Sequence, residues 1–273
     1  MVLHRESPIG VFDSGFGGLT VVRSLIDLMP NESLVYIGDT ARYPYGNKPA
    51  DEVRDYAVEL AESLVRDHGA KMIVVACNTA ASVALDVLAA SLSVPVIGVI
   101  EPGARALVRV THNGKVGVIG TVGTIASKAY DTAVEATGAE VRLTATACPG
   151  FVEFVERDQT DGEEVTLLAS RLLAPLQVAG VDAVLLGCTH YPYLAPVIQR
   201  VMGNGVVLVS SANETAFAVR EALEHRDIAA PSDAVGRRRF FSSGDVDAFA
   251  ALGRRLLGPE LGEVSAWMSG ASS

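Results

Sequence analysis

Two cysteines, Cys77 and Cys188, directly follow apolar segments of similar pattern, MIVVA and AVLLG. Polar residues come next in both places, Asn78–Thr79 after the first cysteine and Thr189–His190 after the second. Such segments predict buried strands, and each thiol then lies at the carboxyl end of a strand, where open α/β sheets bind ligands. Two thiols that face one ligand can serve as a general base and a general acid.

Charged neighbours are available to both thiols. An imidazole or a helix N-terminus lowers the pKa of a thiol, so we expect His190 to tune or relay the proton of Cys188. Asp13 is the matching candidate beside Cys77. A hydrolase with a Cys–His pair is an alternative, but it leaves Cys77 without a role. The third cysteine, Cys148, lacks polar successors, and we interpret it as structural.

Other segments offer polar groups to a ligand. The loop DSGFGG places Asp13 and Ser14 after a strand, although it matches neither common nucleotide-binding pattern and is also typical of a tight turn. Tyr45 and Gly46 offer a phenol and an open backbone amide, or simply an aromatic-rich packed loop. Glu156 lies on a helical segment, where a solvated surface charge is the alternative. No cluster has a recognised metal-ligand spacing, so we expect no metal site.

Short apolar segments alternate with longer amphipathic ones, which predicts an α/β fold with mostly parallel sheets buried on both faces. The predicted strands are Ile9–Asp13, Leu34–Gly38, Met72–Cys77, Pro95–Ile100, Val116–Gly120, Val141–Cys148, Ala183–Cys188 and Val206–Val209. The predicted helices are Asp51–Asp67, Ala80–Ser91, Val122–Ala136, Glu163–Leu176 and Glu214–Glu224.

The strand pattern occurs twice along the chain. The segment IGVFDSGFGGLTV opens one half and VGVIGTVGTIAS the other, and the cysteines follow these segments at nearly equal spacing. We therefore predict two similar α/β domains related by a pseudo-twofold axis, with the active site in the cleft between them. Residues 1–98 and 208–273 form the first domain, completed by C-terminal helices, and residues 99–207 form the second.

Composition restricts the class of protein. The 273 residues carry a net charge of −10, which argues against general binding to nucleic acids or to a membrane surface. We interpret the basic cluster 237–239 as a solvated turn and expect the Ser- and Gly-rich tail 262–273 to fray. No signal peptide or membrane-spanning segment is predicted. Three cysteines without disulfide spacing favour a reducing cytoplasm.

Five segments together resemble the glutamate racemases of the Asp/Glu racemase family, cofactor-independent two-cysteine enzymes. In the family's order, they are IGVFDSGFGGLTV, YIGDTARYPYG, ACNTA, CPGFVEFVE and GCTHYP. They span most of the chain, and GCTHYP is the strongest single marker. Phe16 and Ala81 depart from the family's usual residues, which bears on packing near the site more than on the reaction.

The resemblance implies that Cys77 and Cys188 are the catalytic acid/base pair, assisted by Asp13, His190 and Glu156. It also implies a substrate site formed by Asp13, Ser14, Tyr45, Gly46, Asn78, Thr79, Thr189 and His190. The implied reaction interconverts L- and D-glutamate for peptidoglycan synthesis without a cofactor, with the thiol of Cys77 acting on D-glutamate and that of Cys188 on L-glutamate. A homodimer is implied as well.

Two alternatives remain open from the sequence. An aspartate racemase would use the same pair of thiols on a shorter substrate. A binding protein on this scaffold, such as a gyrase inhibitor, has no need for two thiols in equivalent positions, and the sequence does not decide whether a gyrase interaction exists.

Overall fold

The computed structural model describes residues 4–268, which form two parallel β-sheets flanked by helices. The strands are β1 (Ile9–Asp13), β2 (Leu34–Gly38), β3 (Met72–Val75), β4 (Val96–Gly98), β5 (Lys115–Gly120), β6 (Arg142–Ala147), β7 (Ala183–Gly187), β8 (Val207–Ser210), β9 (Arg238–Ser242) and β10 (Val264–Ala266). Every residue of β1, β2, β3 and β7 is buried, as expected for strands covered on both faces.

The two sheets repeat one strand order. The first sheet runs β10-β9-β2-β1-β3-β4 and the second β6-β5-β7-β8, and all paired strands are parallel. The order β2-β1-β3-β4 of the first sheet therefore recurs as β6-β5-β7-β8 in the second. The predicted fold class and the predicted repeat are confirmed at this level.

Helices connect the parallel strands, as such sheets require. They are α1 (Leu19–Leu28), α2 (Ala50–Arg66), α3 (Asn78–Ser91), α4 (Ile100–Val110), α5 (Val122–Ala126), α6 (Ala129–Ala136), α7 (Phe151–Glu156), α8 (Glu163–Ala179), α9 (Ala195–Met202), α10 (Ser211–His225) and α11 (Val246–Leu257). One-turn 3-10 helices cover Tyr45–Asn47, Tyr191–Leu194 and Gly258–Glu260. Four of the five predicted helices are found as single helices, with ends shifted by a few residues.

One predicted helix is divided in two. The segment Val122–Ala136 contains α5 and α6, separated at Lys128, whose backbone has a φ of 60° in the left-handed region. A non-glycine residue in that conformation cannot continue a right-handed helix, so the chain changes direction there.

The C-terminal part differs most from the prediction. Instead of helices alone, it contributes β9 and β10, which extend the first sheet beyond β2. Arg238 and Arg239 lie in β9 rather than in a solvated turn, so that interpretation was wrong. The prediction that the tail frays was wrong for Val264–Trp267, because β10 pairs with β9 and Trp267 is buried. Residues 269–273 of that tail lie outside the described residues.

The domain boundaries stay a prediction. The second sheet includes β8, which begins at Val207, so the predicted border between residues 207 and 208 passes through this strand. Within residues 4–268, no helix combines the length and apolar character needed to cross a membrane.

Candidate active site

Both cysteines lie where the strand order of their sheet reverses. In the first sheet β1 lies between β2 and β3, so the loops after β1 and β3 lead away from each other and leave a crevice at their carboxyl ends. Asp13 ends β1, and Cys77 follows β3. In the second sheet, β5 and β7 form the same crevice, with Thr121 after β5 and Cys188 after β7.

Residues from both halves line a single small cleft between the two sheet units. The lining comprises Ser14, Tyr43, Pro44, Tyr45, Gly46, Asn47, Cys77, Asn78, Thr79, Thr121, Val122, Cys148, Pro149, Gly150, Val152, Glu153, Cys188, Thr189, His190 and Tyr191. Among the described residues, this lining includes no lysine or arginine. An anionic ligand would therefore be held by neutral donors, backbone amides and the imidazole.

The thiol of Cys77 is buried at the N-terminus of α3. Its Sγ accepts a hydrogen bond from the backbone N–H of Ala80 at 3.4 Å, and it donates to Ser14 Oγ at 3.6 Å. Burial, together with the negative charge of Asp13, raises the pKa of Cys77 to about 12. This thiol therefore carries its proton at neutral pH.

Asp13 is held in a fixed orientation below the cleft. Its Oδ2 accepts hydrogen bonds from the backbone N–H groups of Gly15 (3.1 Å) and Gly18 (3.0 Å), and its Oδ1 is buried without a hydrogen-bond partner. Burial raises the pKa of Asp13, although His190 and the backbone N–H groups oppose this. The charge of Asp13 thus acts on the thiol of Cys77, while the neighbouring residue Ser14 lines the cleft.

Cys188 has a different neighbour. Its Sγ lies 3.9 Å from Nδ1 of His190, and Nε2 of the same imidazole lies 3.6 Å from Oε1 of Glu156. Burial lowers the pKa of His190, but the contacts with Cys188 and Glu156 outweigh it and raise this pKa to about 10. The structure therefore brings together the three residues predicted on this side, with a protonated imidazole beside the second sulfur at neutral pH.

Glu156 reaches the imidazole rather than the cleft. Helix α7 contributes Val152 and Glu153 to the lining, whereas the side chain of Glu156 is 25% exposed and touches His190. The alternative of a fully solvated surface charge is thus wrong. The ring of Tyr43 lies beside this imidazole, with ring centroids 6.3 Å apart.

Asn78 and Thr79 follow Cys77 at the start of α3 and are both buried in the lining. The hydroxyl of Tyr130 donates to Asn78 Oδ1 at 2.6 Å, while Asn78 Nδ2 is buried without a hydrogen-bond partner. The Tyr130 contact fixes which way the amide points and leaves its N–H groups for a ligand. Thr79 Oγ1 lies 3.0 Å from Thr121 Oγ1, a contact between the two sheet units.

The remaining predicted residues also lie in the cleft. The hydroxyl of Tyr45 donates to Asp39 Oδ2, so this phenol is already engaged and is not free for a ligand. Gly46 packs against Thr121: a Cβ atom at Gly46 would lie 2.9 Å from Thr121 Cβ. Thr189 is buried in the lining beside His190.

Gly17 and Cys148 are among the residues at the site that were not identified from the sequence. A Cβ atom at Gly17 would lie 2.2 Å from Thr189 Oγ1 and 2.5 Å from His190 Nδ1, so only glycine permits this packing. Cys148, interpreted as structural, lines the cleft, and burial raises the pKa of its thiol to about 12. Its position directly after β6 was the available signal, because the other two cysteines also follow strands.

Within the described residues, no group of three or more His, Cys, Asp and Glu side chains could hold a metal ion. The thiols and the imidazole that line the cleft are groups that can transfer protons. Cys77 enters the cleft from the first sheet unit with a carboxylate nearby, Cys188 enters from the second with an imidazolium beside it, and amide and hydroxyl donors line the same cleft.

Comparisons with known proteins agree with this geometry. A sequence model of the Asp/Glu/hydantoin racemase family matches residues 9–219. Over 260 residues, the chain is 52% identical to the glutamate racemase of Corynebacterium diphtheriae, which covers 95% of this chain and 97% of that protein. A glutamate racemase isoform of Bacillus anthracis superposes with a TM-score of 0.90 at 43% identity, covering 97% of both chains.

A further solved structure, the glutamate racemase of Francisella tularensis in complex with D-glutamate, superposes with a TM-score of 0.91 at 30% identity and covers 98% of this chain and 100% of that one. These matches confirm the family resemblance of the five sequence segments. The chain therefore belongs to the Asp/Glu/hydantoin racemase family and is an amino-acid racemase.

Proposed function

We propose that the protein interconverts L- and D-glutamate by a two-thiol mechanism and so supplies D-glutamate for peptidoglycan. The observation that carries this proposal is the placement of Cys77 and Cys188 at equivalent strand ends of two similar sheet units, in one cleft. The similar proteins named glutamate racemase, one of them solved with D-glutamate, support glutamate as the substrate.

Racemisation needs a proton removed from one face of the α-carbon and another delivered to the opposite face. With L-glutamate, the thiolate of Cys188 takes the α-proton while the thiol of Cys77 donates its own proton to the other face. With D-glutamate the roles exchange. Cys77 holds its proton strongly, as its raised pKa of about 12 shows, which suits it to begin as the acid.

The carbanion formed in between carries charge that spreads onto the α-carboxylate. Donors fixed in a closed cleft stabilise such charge without having to reorient during the reaction. The free N–H groups of Asn78 and the hydroxyls of Thr79 and Thr189 are suited to this role. A protonated His190 adds a positive charge beside Cys188, and Glu156 holds the imidazole in place from the other nitrogen.

The test follows the α-proton in deuterium oxide, with no added cofactor, for the wild type, Cys77→Ser and Cys188→Ser. Wild type is expected to form D-glutamate that carries deuterium at the α-carbon, and both variants are expected to lose conversion. Each variant keeps one base, so Cys77→Ser should still exchange the α-proton of L-glutamate and Cys188→Ser that of D-glutamate. Cys148→Ser is the matched control and should still convert glutamate.

Normal conversion by either single variant would contradict the two-thiol mechanism. If wild type neither exchanges nor converts glutamate but does so with aspartate, the substrate assignment is wrong and the mechanism survives. Inactivity toward both amino acids would favour a binding protein on this scaffold.

Three further expectations belong to this proposal and rest on the family resemblance. They are a homodimer, a cytoplasmic location, for which three free cysteines are typical, and catalysis without a cofactor. Sedimentation of the purified protein tests the first, and turnover after exhaustive dialysis tests the last.

A further inference from the structure

A buried carboxylate lies behind the loop that carries Tyr43, Tyr45 and Gly46 into the cleft. Asp39 directly follows β2 and is fully buried. Its Oδ2 accepts hydrogen bonds from the hydroxyl of Tyr45 and from Arg42 Nε at 2.7 Å. Its Oδ1 accepts from Ser243 Oγ at 2.6 Å. These hydrogen bonds to a buried, charged group are strong, and turning the carboxylate would break them. The side chain of Asp39 therefore has a strongly preferred orientation.

One of these donors comes from the far end of the chain. Ser243 follows β9, and its hydroxyl also accepts a hydrogen bond from the backbone N–H of Ala41 at 3.0 Å. Next to it, Thr40 Oγ1 lies 2.7 Å from Ser242 Oγ and accepts a hydrogen bond from the N–H of Gly244 at 3.0 Å. The turn after β9 therefore binds the start of the loop through both backbone and side chains.

Arg42 extends the same network toward the C-terminus. Its guanidinium pairs with Glu59 and lies over the ring of Tyr56 at 4.3 Å and over that of Trp267 at 5.6 Å. Trp267 is anchored in turn, because its Nε1 donates to Ser63 Oγ at 2.9 Å. The residue after β10 thus packs on the arginine that orients Asp39.

The second loop of the cleft, after β1, also contacts the C-terminal residues. The ring of Phe249 on α11 stacks on Phe16 with centroids 5.3 Å apart, and it packs against Tyr36. The hydroxyl of Tyr36 donates to the backbone oxygen of Gly15 at 2.9 Å. Two of the loops that the first sheet sends into the cleft, those after β1 and β2, are therefore supported by residues beyond the segment 9–219 that matches the family.

We propose that Asp39 is a positioning residue for the Tyr43–Gly46 loop, and that the segment from Arg238 to Trp267 holds this residue in place through Ser243. The proposal rests on the proposed function in that the loop forms one wall of the glutamate site. Asp39 does not line the cleft and acts through Tyr45 and the loop backbone. Loosening this anchor should weaken substrate binding more than it slows proton transfer, because both thiols lie on other loops.

The test compares Ser243→Ala with Ser243→Thr, which keeps the hydroxyl. Ser243→Ala is expected to raise the KM for glutamate about fivefold, the equivalent of one net hydrogen bond, with a smaller change in kcat. Amide hydrogen exchange of residues 40–47, measured without substrate, should become faster in the same variant. Ser243→Thr should restore both values.

Asp182→Asn is the control for a purely structural loss. Asp182 accepts hydrogen bonds from Thr111 Oγ1 and from the N–H groups of His112 and Asn113, but it lies just before β7, at the amino edge of its sheet. This variant should lower the free energy of unfolding and leave KM and the exchange of residues 40–47 unchanged.

The inference would be overturned if Ser243→Ala had the same KM and the same exchange of residues 40–47 as the wild type. It would also be overturned if KM rose equally in Asp182→Asn. The exchange measurement needs no substrate. If the wild type did not racemise glutamate, the proposed function would fail, while faster exchange of residues 40–47 in Ser243→Ala alone would still support the anchor.

Discussion

The two thiols lie in unlike surroundings. Cys77 bonds to a hydroxyl and has Asp13 nearby, whereas Cys188 has an imidazole beside it. Because L- and D-glutamate have equal free energies in water, kcat/KM must be the same in both directions for the wild type and for every variant. Unequal surroundings therefore cannot appear as a difference in kcat/KM, but they can appear in kcat and KM taken separately or in exchange of the α-proton without conversion.

The charge of His190 depends on its two neighbours, which gives a direct test. In Glu156→Gln we expect its pKa to fall below the wild-type value of about 10, because burial alone lowers this pKa and one opposing contact is lost. Nitrogen chemical shifts of the imidazole measured against pH report the change. Glu153→Gln, on the same helix and in the cleft lining, is the matched control and should leave the titration unchanged.

The raised pKa of His190 also makes the free energy of unfolding depend on pH. The folded protein holds the His190 proton more tightly than the unfolded chain, whose histidine has a pKa of 6.5. The contribution to the free energy of unfolding is thus fully present below about pH 6.5 and is lost as the pH rises through about 10. An unshifted His190 titration in Glu156→Gln would remove Glu156 from this role.

Gly17 sets how closely the first loop approaches the imidazole. We expect Gly17→Ala to lower kcat/KM by about 10²-fold, since its Cβ atom would displace Thr189 and His190 by a large part of an ångström. Gly205→Ala is the control, because no atom lies within 4 Å of the added Cβ. Steady-state kinetics of both variants measure the effect. A wild-type kcat/KM in Gly17→Ala would show that this contact does not position the imidazole.

At the scale of elements, apolar segments predicted the central strands correctly, whereas the strands β9 and β10 were not predicted. Strands such as β3 and β7 are apolar throughout, and this pattern predicts burial on both faces without any tertiary information. In contrast, β9 begins with two arginines, and β10 has only three residues, one of which is a serine. Both lie toward one side of the sheet, where polar residues are tolerated and pairing, rather than composition, makes the strand.

The residues of the candidate site likewise divide into those that the local sequence pattern predicts and those that depend on tertiary contacts. The sequence placed Cys77 and Cys188 at strand ends because the strands themselves were predictable. The role of Gly17 depends on a contact between the first loop and the second sheet unit, and no local pattern contains that distance. Cys148 lines the cleft because it follows a strand end, although its successors, Pro149 and Gly150, offer no side-chain donors that would have signalled this position.

The left-handed residue between α5 and α6 offers a test of local strain. Replacing Lys128 with glycine should raise the free energy of unfolding by about 1 kcal/mol relative to Lys128→Ala, because only glycine adopts a φ of 60° without steric cost. The alanine variant removes the same exposed ion pair with Asp131, so it isolates the backbone effect. Denaturant unfolding measures the difference, and equal stabilities would contradict the strain.

At the scale of the whole molecule, a buried ion pair important for stability lies at the amino ends of the strands of the first sheet, and the cleft lies at their carboxyl ends. Lys71 comes just before β3, is fully buried, and pairs with Glu32 at 2.7 Å. Glu32 also accepts a hydrogen bond from the N–H of Ala230. This buried ion pair ties three distant parts of the chain together at the edge away from the cleft.

Breaking this pair should lower stability and spare the reaction. We expect Lys71→Met to lower the free energy of unfolding by about 3–5 kcal/mol, because it leaves the Glu32 carboxylate buried and unpaired. The double variant Lys71→Met/Glu32→Gln should recover most of this loss. Urea unfolding and kcat of the folded fraction are the measurements, and a lower kcat in the folded protein would show that the two edges are coupled.

The shared strand order of the two sheets bears on how a protein can treat mirror-image molecules alike. A chain of L-residues cannot build the reflection of one of its own sites, so a single half would always favour one hand of an amino acid. Two copies of one unit, turned to face each other, present the same kind of group to both sides of a carbon atom. The order β2-β1-β3-β4, recurring as β6-β5-β7-β8, is the arrangement that duplication of an ancestral half would leave behind.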